Sequence, residues 1–288
     1  MSPSLAATGG NGDLGDAAWR LLCSRFCVVP KLRGMSSDHP QAGAPVPSSG
    51  TERGPQLRIL GPLLIVFAAF VLSVIVFGAL KAFGLSDDSA ESIAAFVGSL
   101  AILGFGLLAR ARYPTHERRQ MLSLRWSLPA ALGIGLALGV ALRITIGVVV
   151  SVGQAVDSSV CRKLLELDDD LVPPALWHKV LLTVALVVLA PLGEELVFRG
   201  LFLRGLARRM SFPLAAVVSG VVFSVAHPQY WTLWPLLIGI SGFGIVAAFV
   251  YRTMGYPANV MMHAVFNGVA AVFLFSDFGI DQTNVTCD

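Results

Sequence analysis

Charge is what this chain has least of. Only 14% of its 288 residues are Asp, Glu, Lys or Arg, against roughly a quarter in soluble globular domains. Hydrophobic residues make up 55%, and the mean hydropathy is +0.72. Length alone suggests about two soluble domains, but no soluble packing needs so much apolar surface. The composition is that of an integral membrane protein. A net charge of +3 is too small to draw in nucleic acid, so no nucleic-acid partner is expected. Four cysteines are too few for a disulfide-stapled scaffold. No internal repeat is visible, which argues against a transporter built from two halves with paired broken helices.

What the chain has in abundance is long apolar runs. A bilayer core of about 30 Å takes about 20 apolar helical residues. Residues 59–83, 92–109, 128–153, 180–206, 211–226, 231–251 and 256–276 qualify or nearly do. They predict an all-α, polytopic bundle of about seven spans, with the fifth run short. The lipid bilayer is the expected surrounding. Lys and Arg concentrate in cytoplasmic loops. Here Arg110, Arg112, Arg118, Arg119 and Arg125 follow the second run, Arg204, Arg208 and Arg209 the fourth, and Arg252 the sixth. The alternate loops carry Asp87, Asp88, Glu91, Asp157 and Glu166. The pattern predicts the N-terminus inside and the C-terminus outside.

Residues 1–55 are a different material, rich in Gly, Pro and Ser. They read as a disordered cytoplasmic arm, and 56–288 as the transmembrane domain. Cys23 and Cys27 fall in the arm; Cys161 and Cys287 fall in predicted outer segments, where a disulfide between them and two unpaired thiols are equally open readings. Arg outnumbers Lys 17 to 4, which points to a GC-rich genome and a bacterial plasma membrane.

Ionisable groups in apolar segments are costly and default to functional hypotheses. Of the acidic residues only Glu194 and Glu195 lie in a predicted span, and of the histidines only His263 lies in one and His227 directly at the end of one. A helix turns about 100° per residue. Glu195 and Arg199, four apart, share a face and are expected to pair, which leaves Glu194 pointing elsewhere. Phe223 and His227 share a face, as do His263 and Asn267. Glu194 is 16 residues before the turn at Met210 and His227 16 after Ser211, so both stand about 24 Å from it. One polar cluster is therefore permitted within the bundle.

Glu, two His and Asn around a cavity suit amide hydrolysis by an activated water. A carboxylate withdrawn from water holds its proton more readily and serves as a general base near neutral pH. A second His and an Asn amide supply donors to a developing oxyanion. Ser224 lies near His227 in sequence but on another face, and no other Ser or Cys has a recognisable nucleophile's setting. Glu194, His227 and His263 also form a two-histidine, one-carboxylate metal set, with zinc as the alternative cofactor. The His-Glu-x-x-His helix that commonly signals it is missing. The bland reading, polar groups that only hold the bundle together, fits Glu195 and Arg199 better than the other four.

Three motifs then stand in order: Glu194-Glu195-Leu196-Val197-Phe198-Arg199, Phe223-Ser224-Val225-Ala226-His227 and His263-Ala264-Val265-Phe266-Asn267. Over residues 180–275 the chain resembles the CPBP intramembrane proteases. These include type II CAAX prenyl endopeptidases and Abi-type proteins. The resemblance implies catalytic roles for Glu194, His227, His263 and Asn267: a base helped by a histidine, and an oxyanion hole from the last two. Glu195 and Arg199 would orient the site. It implies an intramembrane endopeptidase with no cofactor favoured and a membrane-associated protein or peptide, lipidated or not, as substrate. The alternatives are a zinc-dependent intramembrane metalloprotease and a non-proteolytic immunity or scaffold protein on the same fold.

Overall fold

The computed structural model describes residues 57–171 and 175–275. The arm at 1–55, with Cys23 and Cys27, and the segment holding Cys287 lie outside the described residues. The described chain is helical, with one isolated bridge, Leu124 to Gly255, as its only β pairing. In chain order the helices are α1 (Leu57–Ala82), α2 (Asp87–Ala111), the short α3 (Thr115–Met121), α4 (Leu128–Val156), α5 (Ser158–Leu171), α6 (Leu176–Leu206), α7 (Phe212–Val225), α8 (Trp234–Met254) and α9 (Tyr256–Phe275).

Six of these, α1, α2, α4, α6, α8 and α9, have 20 to 31 residues of apolar helix. At 1.5 Å per residue they reach about 30 Å or more. The expected fifth span is the exception. Helix α7 has 14 residues, about 21 Å, because Pro228 follows His227 and disfavours helical backbone there. His227 takes φ −111° and ψ 76° and opens a short 3-10 turn, Pro228–Tyr230. It therefore sits just beyond the helix rather than on it.

The outward faces are apolar, as lipid contact demands. Leu64 and Phe67 on α1 and Ile144 and Val148 on α4 are all more than half exposed. The inside is organised around α6, which packs against α1, α2, α7, α8 and α9. Every residue from Glu195 to Leu203 is buried. Small residues set the helix approaches. A Cβ at Gly139 of α4 would lie 2.6 Å from the Met262 carbonyl of α9, and one at Gly193 of α6 would lie 2.8 Å from the Leu103 nitrogen of α2. Gly193 thereby sets how closely the segment carrying Glu194 and Glu195 approaches α2.

Helix α6 is not uniformly α. Two π-helical stretches, Ala185–Leu189 and Leu196–Leu203, flank the α segment Ala190–Glu195. Pro191 gives a reason for the first. In the wider turn the Ala190 N–H reaches the Ala185 carbonyl; the next N–H in that register would reach Leu186, but Pro191 has none. The Leu186 carbonyl is satisfied instead from α9, by Asn267 Nδ2 at 2.8 Å. Neighbouring helices commonly re-satisfy backbone groups freed in this way.

The two ends of the bundle differ in charge. At one end the connection from α2 to α4, the α6–α7 turn and the α8–α9 turn are clasped together. Arg208 pairs with Glu117 at 2.9 Å, Arg204 donates to Gln120 at 2.9 Å, and the Ser123 carbonyl accepts from Tyr256 N at 3.0 Å. Gly255, at φ +95°, turns the chain where a Cβ would strike the Ser123 carbonyl. This end gathers the nine arginines of the three basic connections. The opposite end carries the α1–α2 turn, α5 and the α7–α8 connection. There Asp157 Oδ1 caps α5 through Ser159 N at 3.0 Å, and Lys163 Nζ donates to the Thr232 carbonyl at 3.3 Å. The Ser159 hydrogen bonds hold the Asp157 carboxyl below its ordinary range. Cys161, on α5, is disulfide-bonded.

Candidate active site

The polar groups that the sequence singled out converge between α6, the end of α7 and α9. Glu195 is fully buried and is the anchor. Its Oε1 lies 3.1 Å from Arg199 Nη1 and accepts from His263 Nδ1 at 2.8 Å; its Oε2 accepts from Asn259 Nδ2. Arg199 is equally buried. Its guanidinium lies 4.4 Å from the centre of the Phe223 ring, and Nη2 donates to the Gly244 carbonyl at 3.3 Å. The Glu195 carboxylate thus pairs with the guanidinium and accepts from imidazole and amide inside the bundle, while Arg199 Nε and Nη1 and Asn259 Oδ1 have no hydrogen-bond partner among the described residues. The expected pairing of Glu195 with Arg199 is present.

Glu194, one residue earlier, faces a different environment. Its side chain is 15% exposed. Its Oε2 is buried and accepts no hydrogen bond from a protein group. His227 Nε2 lies 4.0 Å from that oxygen and His263 Nε2 3.8 Å, too far for direct hydrogen bonds. The tautomers follow from the other ring nitrogens. His227 Nδ1 donates to the Phe223 carbonyl at 2.7 Å, and a carbonyl only accepts. His263 Nδ1 faces the paired carboxylate of Glu195. Each ring therefore carries its hydrogen on Nδ1 and turns Nε2 toward Glu194. Phe223 and Phe243 hold the His263 ring edge to face, at 5.9 and 4.9 Å, and Tyr230 stacks on His227 at 6.1 Å.

These groups line a cavity of about 590 Å³ whose walls include Ile240, Phe266 and Phe273. Arg143 of α4 also lines it, with its guanidinium 5.8 Å from the Phe266 ring centre. Asn267 is in the same wall, but its amide is engaged with Leu186; the amide nitrogen carries one further hydrogen. Asn259 is the participant that sequence reading missed. Its signal was present: it lies four residues before His263 on the same face of an apolar helix, mirroring Asn267 four residues after. Among the described residues no group of three or more His, Cys, Asp or Glu side chains is arranged to hold a metal ion. Glu194, His227 and His263 converge without forming such a ligand set.

Residues 176–269 match the model of a protein family described as type II CAAX prenyl endopeptidase Rce1-like. The matched stretch, less than half of the chain, holds every residue of the convergent cluster, from Glu194 to Asn267, together with α6 to α9 nearly entire; helices α1 to α5 lie outside the match. No curated protein and no solved structure matches the chain.

Proposed function

We propose that this protein is an intramembrane endopeptidase in which Glu194 activates a water molecule to hydrolyse a peptide bond. The observation that carries the reading is the meeting of three acceptors. Glu194 Oε2, which accepts no hydrogen bond from a protein group, stands about 4 Å from the Nε2 atom of each of His227 and His263. A water supplies two O–H groups and suits polar separations beyond direct hydrogen-bond reach. Held by two of the three acceptors, it keeps a lone pair to direct at a substrate carbonyl lying in the cavity.

The water oxygen attacks the carbonyl carbon while its proton passes to Glu194. The carbonyl oxygen becomes an oxyanion. The proton on Glu194 then goes to the leaving amide nitrogen, directly or through His227, as the C–N bond breaks. His263 and Asn267 flank the place where the oxyanion develops; the second amide hydrogen of Asn267 is its available donor. Glu195, Arg199 and Asn259 fix the His263 ring and so act as positioning residues. No step uses a metal. The substrate is a membrane-associated protein or peptide whose apolar part enters the cavity.

The test is proteolysis by the purified chain in nanodiscs on a panel of lipidated and transmembrane peptides. Removing a general base lowers turnover by about 10²- to 10⁴-fold. Glu194→Ala is expected to lose cleavage by that factor while folding normally, and a strong chelator is expected to leave the wild type active. Retained activity in Glu194→Ala removes the proposed base. Activity lost to chelator and restored by zinc replaces the mechanism with a metal-dependent one.

A further inference from the structure

We infer that the cavity is served from the extracytoplasmic side, so that the substrate is a membrane-anchored polypeptide whose scissile bond lies in or beyond the outer half of the bilayer. The word substrate rests on the proteolytic reading above; the direction of access does not.

Three observations carry it. The first is where the cavity lies along the bundle. Measured from the end where the arginines gather, His263 is 7 residues into α9, Glu194 12 residues before the end of α6, and Arg143 and His227 15 residues past the starts of α4 and α7. These are rises of about 10, 18, 22 and 22 Å. The cavity continues away from the arginines. Its far rim is Leu164 of α5 with Gln229 and Tyr230 of the α7–α8 connection, and no residue of the three arginine-bearing connections lines it.

The second observation is charge. Among the described residues the three clasped connections carry nine arginines with Glu117, and the opposite end carries Lys81, Arg162, Lys163 and Lys179 with Asp87, Asp88, Glu91, Asp157 and Glu166. Excess Lys and Arg stays in the cytoplasm, so the end toward which the cavity extends faces away from it. The third is chemical and independent of charge. Cys161 stands on α5, three residues from the rim residue Leu164, and is disulfide-bonded. Disulfides persist in oxidising compartments and are rare in the cytosol. Charge and redox state assign the same side.

The experiment is site-directed labelling in intact cells with a membrane-impermeant maleimide. Gln229→Cys places a thiol on the rim and Arg209→Cys places one in the α6–α7 turn, each in the full chain with Cys23 and Cys27 changed to Ser. The same chain without an added thiol gives the background. Gln229→Cys is expected to label in intact cells, and Arg209→Cys only after permeabilisation. The reverse pattern overturns the inference, as does labelling of both only after permeabilisation. A Gln229→Cys thiol that reacts only once the protein is denatured overturns it too, because the rim is then closed. Labelling needs no turnover, so either result leaves the Glu194 test untouched. A loss of proteolysis in Glu194→Ala likewise says nothing about sidedness.

Discussion

Arg199→Met tests the buried anchor most directly. The substitution keeps a long side chain but removes the cation that faces Glu195. That carboxylate is fully buried; it loses its partner at 3.1 Å and keeps only Asn259 and His263 as donors. Breaking one half of a buried pair costs about 3–5 kcal/mol. At 1.4 kcal/mol per tenfold this is a shift of roughly a hundred- to several-thousand-fold in the folding equilibrium. Removing both charges together is a different matter, because a buried pair replaced by uncharged groups of similar volume is often neutral. Glu195→Gln combined with Arg199→Met is therefore expected to regain more than half of the loss. The assay is reversible unfolding in mixed micelles for the wild type, both single variants and the double, read as a cycle. An Arg199→Met protein within about 1 kcal/mol of wild type refutes the reasoning, as does a double variant no more stable than the single. Turnover gives a second readout. His263 Nδ1 loses its charged acceptor in the double variant, so stability should recover while cleavage stays low. Joint recovery would reduce the pair to a structural element.

Other outcomes follow from single contacts. Asn267→Ala strips the Leu186 carbonyl of its donor, at a cost of about 0.5–1.5 kcal/mol; adding Pro191→Ala returns a backbone N–H in register and should restore stability in thermal unfolding. If turnover returns as well, Asn267 serves only the backbone and the oxyanion role falls. Gly139→Leu drives a side chain into α9 beside His263, where even a Cβ would lie 2.6 Å from the Met262 carbonyl. It should destabilise by about 1–3 kcal/mol and abolish cleavage, whereas Gly133→Leu, with open space around it, should do neither. Non-reducing peptide mapping should recover Cys161 joined to Cys287; two free thiols would end that pairing.

The sequence alone determined that the chain is a helical membrane bundle, because apolar run length and scarcity of charge act locally and need no fold to be read. It also singled out Glu194, Glu195, His227 and His263, since an ionisable group in an apolar segment is costly wherever it sits. The pairing of Glu195 with Arg199 was legible from helical periodicity. Tertiary structure decided the rest. Neither π-helical stretch in α6 was read from the periodicity of the sequence, since each departs from the regular 3.6-residue turn. The length of α7 turned on Pro228, which places His227 in a turn and lets its Nδ1 bond the Phe223 carbonyl. Asn259 escaped notice because its partner is a carboxylate 64 residues away, and a distant contact leaves no local pattern. Asn267 had a visible position but not a visible partner: that it feeds the carbonyl orphaned by Pro191 depends on two helices crossing there. The end toward which the cavity extends depends on the same thing, because only packing decides which residues of α4, α6, α8 and α9 come together to line it.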